Sequence, residues 1–244
     1  MNPLVLNEPA RGCGFAMAPS PTHVVGHCTV LEIGDSLGND LGWGLRRELG
    51  ATHSLRLVQK DLSSSGLVTQ WFYNWPAHLK TFLRQYHPDL VIVCLGANDQ
   101  QHLVVNERTT SFNEPAWRTR YQALIRQIDT LVVNARSYVL WVGLPIMAPI
   151  TYREGTMTLN SLYRSVATHV LGVTFLPSWL LFANSSGAYQ ESARVNLSPA
   201  VLRASDGIHF TAIGEDVFAT YVTREIATLY NVFVRPALPA YLTP

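Results

Sequence analysis

A serine, an aspartate and a histidine occupy positions from which they could act together as a nucleophilic catalyst. Residues 34–40 read GDSLGND and join a predicted strand to a predicted helix, so Ser36 would lie beside the free N–H groups of that helix. Residues 205–211 read SDGIHFT, and there Asp206 and His209 could supply a base and the carboxylate that orients it. Each residue alone is more often a helix cap or a turn residue. Together they favour a serine nucleophile activated by His209 and Asp206.

Two further residues could stabilise a developing oxyanion. Asn98 lies in GANDQ, residues 96–100, at the end of the most apolar predicted strand, and its amide could donate to the oxyanion. Gly66 follows the second predicted strand, where a residue without Cβ lets a backbone N–H approach a substrate oxygen closely. The alternatives are an Asx-turn residue at Asn98 and an ordinary turn glycine at Gly66.

Two other interpretations of these residue types are weaker. Residues 34–38 satisfy G-x-S-x-G, the nucleophile elbow of α/β-hydrolases, but only one predicted strand precedes the serine and no HGGG-type segment lies upstream. His23, His27 and Cys28 could bind a metal by composition, yet their spacing before a strand does not place two ligands on one face. We therefore predict neither a metal nor a cofactor.

The elements that position these residues alternate regularly. Short apolar runs predict strands at 28–33, 55–58, 90–95, 138–143 and 173–176, and helical periodicity marks segments within 37–49, 74–86, 117–132, 159–170 and 213–229. This alternation predicts an α/β fold, a three-layer α/β/α sandwich with a five-stranded parallel sheet. In the strand order 2-1-3-4-5, Ser36 and Asn98 would be neighbours at the carboxyl edge. Residues 177–205 are polar and weakly periodic, which indicates a functional or mobile connection.

Composition limits the possible partners. The 244 residues include 18 Lys+Arg and 17 Asp+Glu without a basic stripe, so nucleic acid is not expected as a partner. The longest apolar stretch, 138–150, contains Gly143, Pro145 and Pro149, and no transmembrane segment is expected. The first 20 residues lack the pattern of a signal peptide, which leaves a cytoplasmic protein or one whose export segment is missing from this chain.

The three cysteines do not decide between these compartments. Cys94 lies inside an apolar run and is expected in the core. Cys13 and Cys28 could pair across a short loop only in an oxidising compartment.

Four segments occur in the order GDSL, SSSGL, GAND and DGIHF, and together they resemble the consensus blocks of the SGNH (GDSL-type) serine hydrolase superfamily. The resemblance covers residues 28–230 and implies that family's flavodoxin-like fold. It implies Ser36 as nucleophile, His209 with Asp206 as base, and an oxyanion hole made by the N–H groups of Ser36 and Gly66 with the Asn98 side chain. The residues NWP after SGL, then GANDQ and WVGLP, look most like a bacterial envelope-associated subgroup, so an exported or cell-envelope location is a further expectation. We expect an N-terminal extension over 1–27 and one hydrolase domain over 28–244.

Three functions fit these residues. The first is a serine esterase that hydrolyses small acyl esters, including O-acetyl groups on carbohydrate, through an acyl-enzyme intermediate. The second is an O-acyltransferase acting on a polysaccharide, in which a sugar hydroxyl replaces water. The third is a non-catalytic carbohydrate-binding module, and the intact set of Ser36, Asp206 and His209 counts against it.

Overall fold

The computed structural model describes residues 28–50 and 55–230. Its larger elements follow the chain as β1 (Cys28–Gly34), α1 (Ser36–Leu49), β2 (Leu55–Asp61), α2 (Trp75–Tyr86), β3 (Leu90–Cys94), β4 (Leu103–Val105), β5 (Arg108–Thr110), α3 (Pro115–Asn134), β6 (Tyr138–Val142), α4 (Ile150–Ala167) and β7 (Val173–Leu176). A 3-10 helix (Trp179–Phe182), β8 (Ser192–Val195), β9 (Ser198–Val201) and α5 (Ala212–Tyr230) complete the order.

The central sheet has five parallel strands in the order β2-β1-β3-β6-β7. These are the five predicted strands, and their spatial order is the predicted 2-1-3-4-5. Every residue of β3 is buried, because helices cover both faces of the sheet and the strand has no polar side. Helix α1 packs against α5, and α3 packs against both α2 and α4. The prediction of a three-layer α/β/α sandwich is confirmed.

The predicted alternation of strand and helix is interrupted by two additional hairpins. Two antiparallel hairpins, β4–β5 and β8–β9, were not predicted. The two residues between their strands, Asn106-Glu107 and Asn196-Leu197, all have positive φ, as in type I′ turns. Because neither turn contains the glycine that usually marks such a hairpin, the sequence gives little sign of it. The second hairpin and the 3-10 helix give structure to residues 177–205.

Helix α4 differs most from its predicted bounds. It begins at Ile150 rather than at 159 and ends at Ala167 rather than at 170. Its first half is rich in threonine and contains Gly155, and these residues have low helix propensity. A Cβ at Gly155 would lie 2.1 Å from Oε1 of Gln100, so this glycine makes room for a side chain from the β3 exit. Packing, rather than propensity, accounts for this part of the helix.

Some predictions lie outside the described residues: the extension over 1–27, the cysteine Cys13, and the histidines His23 and His27. The single domain over 28–244 stays a prediction. Cys94 is fully buried in the core, as expected. None of the helices in the described ranges is long and apolar enough to cross a membrane.

Candidate active site

Ser36 is the first residue of α1 and follows β1 after a single residue. Asp35 caps the helix, because its Oδ1 accepts the N–H of Leu37 at 3.0 Å. The Ser36 side chain is partly exposed, and its hydroxyl makes no hydrogen bond to any described residue. The serine therefore lies at the positive end of the α1 dipole with its oxygen accessible.

Asp35 also connects the β1 exit to the β3 exit. Its Oδ2 accepts the N–H groups of Gly96 and Ala97, both at 2.8 Å. Burial raises the pKa of Asp35 to about 7, although these N–H groups and that of Leu37 lower it. The carboxyl group thus holds the segment before Asn98 beside the segment that carries Ser36.

Asn98 is bound to the loop that follows β2. Its Nδ2 donates to the carbonyl oxygen of Ser65 at 2.9 Å, which places the amide next to Gly66. The adjacent Asp99 is fully buried and accepts the N–H groups of Leu67 and Val68, each at 3.0 Å. Two neighbouring residues of the β3 exit therefore fix the loop that contains Gly66.

Gly66 could not be replaced by a larger residue without a shift. A Cβ at this position would lie 2.1 Å from Oδ1 of Asp99, the oxygen that accepts the Val68 N–H. Neither the N–H of Gly66 nor that of Ser36 donates a hydrogen bond within the described part of the chain. Both backbone groups therefore have an unused donor.

Asp206 and His209 meet on one turn. Nδ1 of His209 lies 2.6 Å from Oδ2 of Asp206, while Oδ1 of Asp206 accepts the N–H groups of Ile208 and His209. Although partial burial raises it, the hydrogen bonds from the His209 ring and from these N–H groups together lower the pKa of Asp206 to about 2. Gly207 supplies the positive φ of 68° that the turn requires.

A buried arginine, Arg203, stabilises this turn through hydrogen bonds to its backbone carbonyl groups. Arg203 is fully buried and donates to the carbonyl oxygens of Ile146, Gly207 and Ile208. Its guanidinium lies 4.2 Å from the ring centre of Phe210, which adds a cation–π contact. Burial lowers the pKa of Arg203 to about 10, which leaves the group charged at neutral pH.

Asp40 joins the serine helix to the histidine turn. It lies one helical turn after Ser36, and its Oδ2 accepts the N–H of Phe210, the residue after His209, at 3.1 Å. Burial raises the pKa of Asp40 to about 6, while the Phe210 N–H and the charge of His209 lower it. The bond holds the two parts of the candidate site together.

The structure thus brings Asp206 to His209 and Asn98 to the Gly66 loop. No hydrogen bond joins Ser36 Oγ to the His209 ring among the described residues. The hydrogen bond from the Phe210 N–H to Asp40 links their segments. Sequence reasoning missed the roles of Asp35, Asp40 and Asp99. Asp35 and Asp99 are inside the recognised motifs, which was the available signal, but most of their partners are backbone N–H groups in loops that follow other strands.

Two cavities differ in their relation to the site. One of about 280 Å³, called the Asn98 cavity below, adjoins the candidate oxyanion donor. Its lining consists of Ala97, Asn98, Gln100, Gln101, Thr151 and Tyr152. A larger, mainly apolar cavity of about 510 Å³ lies between α5 and the β8–β9 hairpin and includes none of the predicted site residues. Within the described ranges, no group of three or more metal-ligating side chains comes together.

Comparisons with solved structures show the same fold in acyl-ester enzymes. A GDSL-like lipase from Bacteroides thetaiotaomicron matches at 15% identity with a TM-score of 0.54, covering 82% of this chain and 88% of that one. The periplasmic domain of a lipopolysaccharide acetyltransferase from Salmonella ser. Paratyphi A matches at 16% identity with a TM-score of 0.57, covering 82% of this chain and 84% of that one. A family 3 carbohydrate esterase from Talaromyces cellulolyticus matches at 14% identity with a TM-score of 0.54, covering 84% of this chain and 98% of that one.

The sequence comparisons give a family. No curated protein matches the chain. A family model described as "Protein of unknown function (DUF459)" matches residues 29–225, which is most of the chain. The chain belongs to the DUF459 family and has the fold of the SGNH (GDSL-type) hydrolases.

Proposed function

We propose that this protein is a serine esterase that removes small acyl groups, such as O-acetyl groups on carbohydrate, through an acyl-enzyme intermediate. The observation that carries the proposal is the 2.6 Å contact between Nδ1 of His209 and Oδ2 of Asp206. The turn that contains both residues is hydrogen-bonded, through Asp40, to the helix that begins at Ser36. A histidine oriented by a carboxylate is what a serine hydroxyl needs to become a nucleophile.

In the first half of the reaction, Ser36 Oγ attacks the ester carbonyl and forms a C–O bond. His209 takes the serine proton on Nε2, because Nδ1 is held by Asp206, and later donates it to the leaving alcohol as the ester C–O bond breaks. In the second half, water is deprotonated by His209, attacks the acyl carbon and releases Ser36 with the free acid. The protons balance, since each one taken by His209 is returned to a leaving oxygen.

The negative charge of each tetrahedral state would be stabilised by three donors. These are the free N–H groups of Ser36 and Gly66 and the Nδ2 hydrogen of Asn98 that does not donate to the Ser65 carbonyl. The hydrogen bonds that Asp35 and Asp99 accept from backbone N–H groups fix the segments that carry these donors. The donors would therefore need little rearrangement when the oxyanion forms.

An O-acyltransferase is the second candidate, and the fold shared with the lipopolysaccharide acetyltransferase domain supports it. The same residues would form the acyl-enzyme, and a sugar hydroxyl would then replace water as the attacking group. That neighbour is a periplasmic domain, which also supports a cell-envelope location for this chain.

The test is turnover of nitrophenyl acetate, butyrate and octanoate, with and without a sugar acceptor. The proposal predicts the fastest release from acetate, with free acetic acid as the main product even when the sugar is present. Acetylated sugar as the main product would favour the acyltransferase. Absence of turnover with every ester would contradict both.

A further inference from the structure

We infer that the Asn98 cavity binds the alcohol part of the ester and that this alcohol is an uncharged polyhydroxy compound, a sugar. The inference deepens the proposed function and rests on it, because it takes Asn98 as a donor to the oxyanion. The cavity includes Asn98, so a group bound there lies on the Asn98 side of the proposed oxyanion hole.

The lining of the cavity selects for neutral polar groups. Three of its side chains are carboxamides, from Asn98, Gln100 and Gln101, and two carry hydroxyls, from Thr151 and Tyr152. Amides and hydroxyls both donate and accept hydrogen bonds, as sugar hydroxyls do. A long acyl chain would instead bury these polar groups against hydrocarbon, which is unfavourable.

Charged ligands are disfavoured by the same lining. None of the residues that line the cavity is Asp, Glu, Lys or Arg. The nearest cation in sequence, Arg153, is already used, because its Nε and Nη2 donate to the carbonyl oxygens of Met147 and Ala148. A carboxylate or phosphate would find no charged partner in the lining.

Part of the lining is fixed and part has unused hydrogen-bonding capacity. Gln100 donates to the Tyr152 carbonyl at 2.9 Å and packs against Gly155, so it connects the β3 exit rigidly to α4. The side-chain hydroxyls of Thr151 and Tyr152 make no hydrogen bond to any described residue. A preformed wall with two free hydroxyls suits a ligand with several hydroxyls of its own. The volume of about 280 Å³ suits one sugar unit rather than an extended chain.

The test compares two acetate esters in the parent and in the double variant Thr151→Val/Tyr152→Phe. One ester is nitrophenyl acetate and the other is a mono-O-acetylated glucose. We expect the ratio of kcat/KM for the sugar ester to kcat/KM for the nitrophenyl ester to fall about tenfold, the change expected for two lost neutral hydrogen bonds. The matched control Thr158→Val, on the same helix but outside the lining, should leave this ratio at the parental value.

A binding measurement separates failure of this inference from failure of the proposed function. Calorimetry would record the Kd of mono-O-acetylated glucose for Ser36→Ala and for Ser36→Ala combined with the double variant, with an expected weakening of about tenfold. Weakened binding in a protein that hydrolyses no ester would contradict the proposed function and support the sugar site. An unchanged ratio and an unchanged Kd would overturn the sugar site even if nitrophenyl acetate is hydrolysed.

Discussion

The side-chain amide of Asn98 has two hydrogens, and the Ser65 carbonyl accepts only one of them. The other is available to the oxyanion, which exists only in the tetrahedral states. We therefore expect Asn98→Ala to lower kcat and kcat/KM together by about 10²-fold or more, with KM nearly unchanged. Asn98→Asp should be worse, because it places a carboxylate beside the developing charge. A rise in KM alone would show that Asn98 contacts only the ground state, and loss of folding would show a structural turn residue.

His209 and Asp206 should not contribute equally. Replacing the base, as in His209→Ala, is expected to lower kcat by about 10²–10⁴-fold. Asp206→Asn should cost less, because an asparagine oxygen can still accept the N–H groups of Ile208 and His209 and keep the turn in place. Steady-state kinetics of both variants gives the comparison. Retention of most of kcat in His209→Ala would place the base elsewhere, with His102 the next candidate.

Asn98 could be predicted because it lies in a short motif at the end of a strand, and Asp206 and His209 because they share a short motif just before the last helix. Asp40 could not, since its partner is the N–H of Phe210, 170 positions later in the chain. In a linear sequence Asp40 is one more polar residue of a helix. Only the packing of α1 against α5 brings it to the histidine turn.

At the scale of elements, Asp40 is expected to keep helix α1 and the histidine turn in register. Asp40→Asn retains an acceptor for the Phe210 N–H but removes the charge, whereas Asp40→Ala removes both. We expect kcat to be highest in the parent, lower in Asp40→Asn and lowest in Asp40→Ala. Steady-state kinetics of the three proteins at one pH gives the comparison. Identical kcat values for all three proteins would contradict this role.

The elements themselves were predictable to different degrees. Strand β3 was the most predictable, because it is covered on both faces and no polar residue interrupts its apolar run. The strand order followed from the doubly wound arrangement that alternating strands and helices favour. The hairpins β4–β5 and β8–β9 are three or four residues per strand and lie outside the main sheet, so their side chains show little alternation. The start of α4 depends on Gly155 and its contact with Gln100, which no local pattern records.

At the scale of the whole molecule, several buried carboxyl groups make stability depend on pH. Asp129 on α3 accepts the Trp141 Nε1–H at 2.7 Å, and burial raises its pKa to about 7. A raised pKa means that the folded state holds a proton that the unfolded chain releases near pH 4. The stability this provides is present in full below that pH and is lost as the pH rises through about 7.

We therefore expect the parent to lose more stability between pH 5 and pH 8 than Asp129→Asn, which keeps the oxygen that accepts the Trp141 N–H and cannot ionise. Each unit of pKa shift corresponds to about 1.4 kcal/mol. Urea unfolding at the two pH values measures the difference. The exposed control Glu154→Gln should behave as the parent does. Equal pH dependence in Asp129→Asn and the parent would show that Asp129 does not titrate on unfolding.

Whether Ser36 is the nucleophile can be measured by intact-protein mass spectrometry after treatment with a serine-reactive fluorophosphonate. We expect one phosphonyl adduct on the parent and on the control Ser161→Ala, whose serine is exposed on α4, and none on Ser36→Ala. Ser36→Ala should remain folded, because Asp35 rather than Ser36 caps α1 and the Ser36 hydroxyl makes no hydrogen bond to a described residue. It should release no product from nitrophenyl acetate. A folded Ser36→Ala protein that is still labelled and still hydrolyses the ester at the parental rate would show that Ser36 is not the nucleophile.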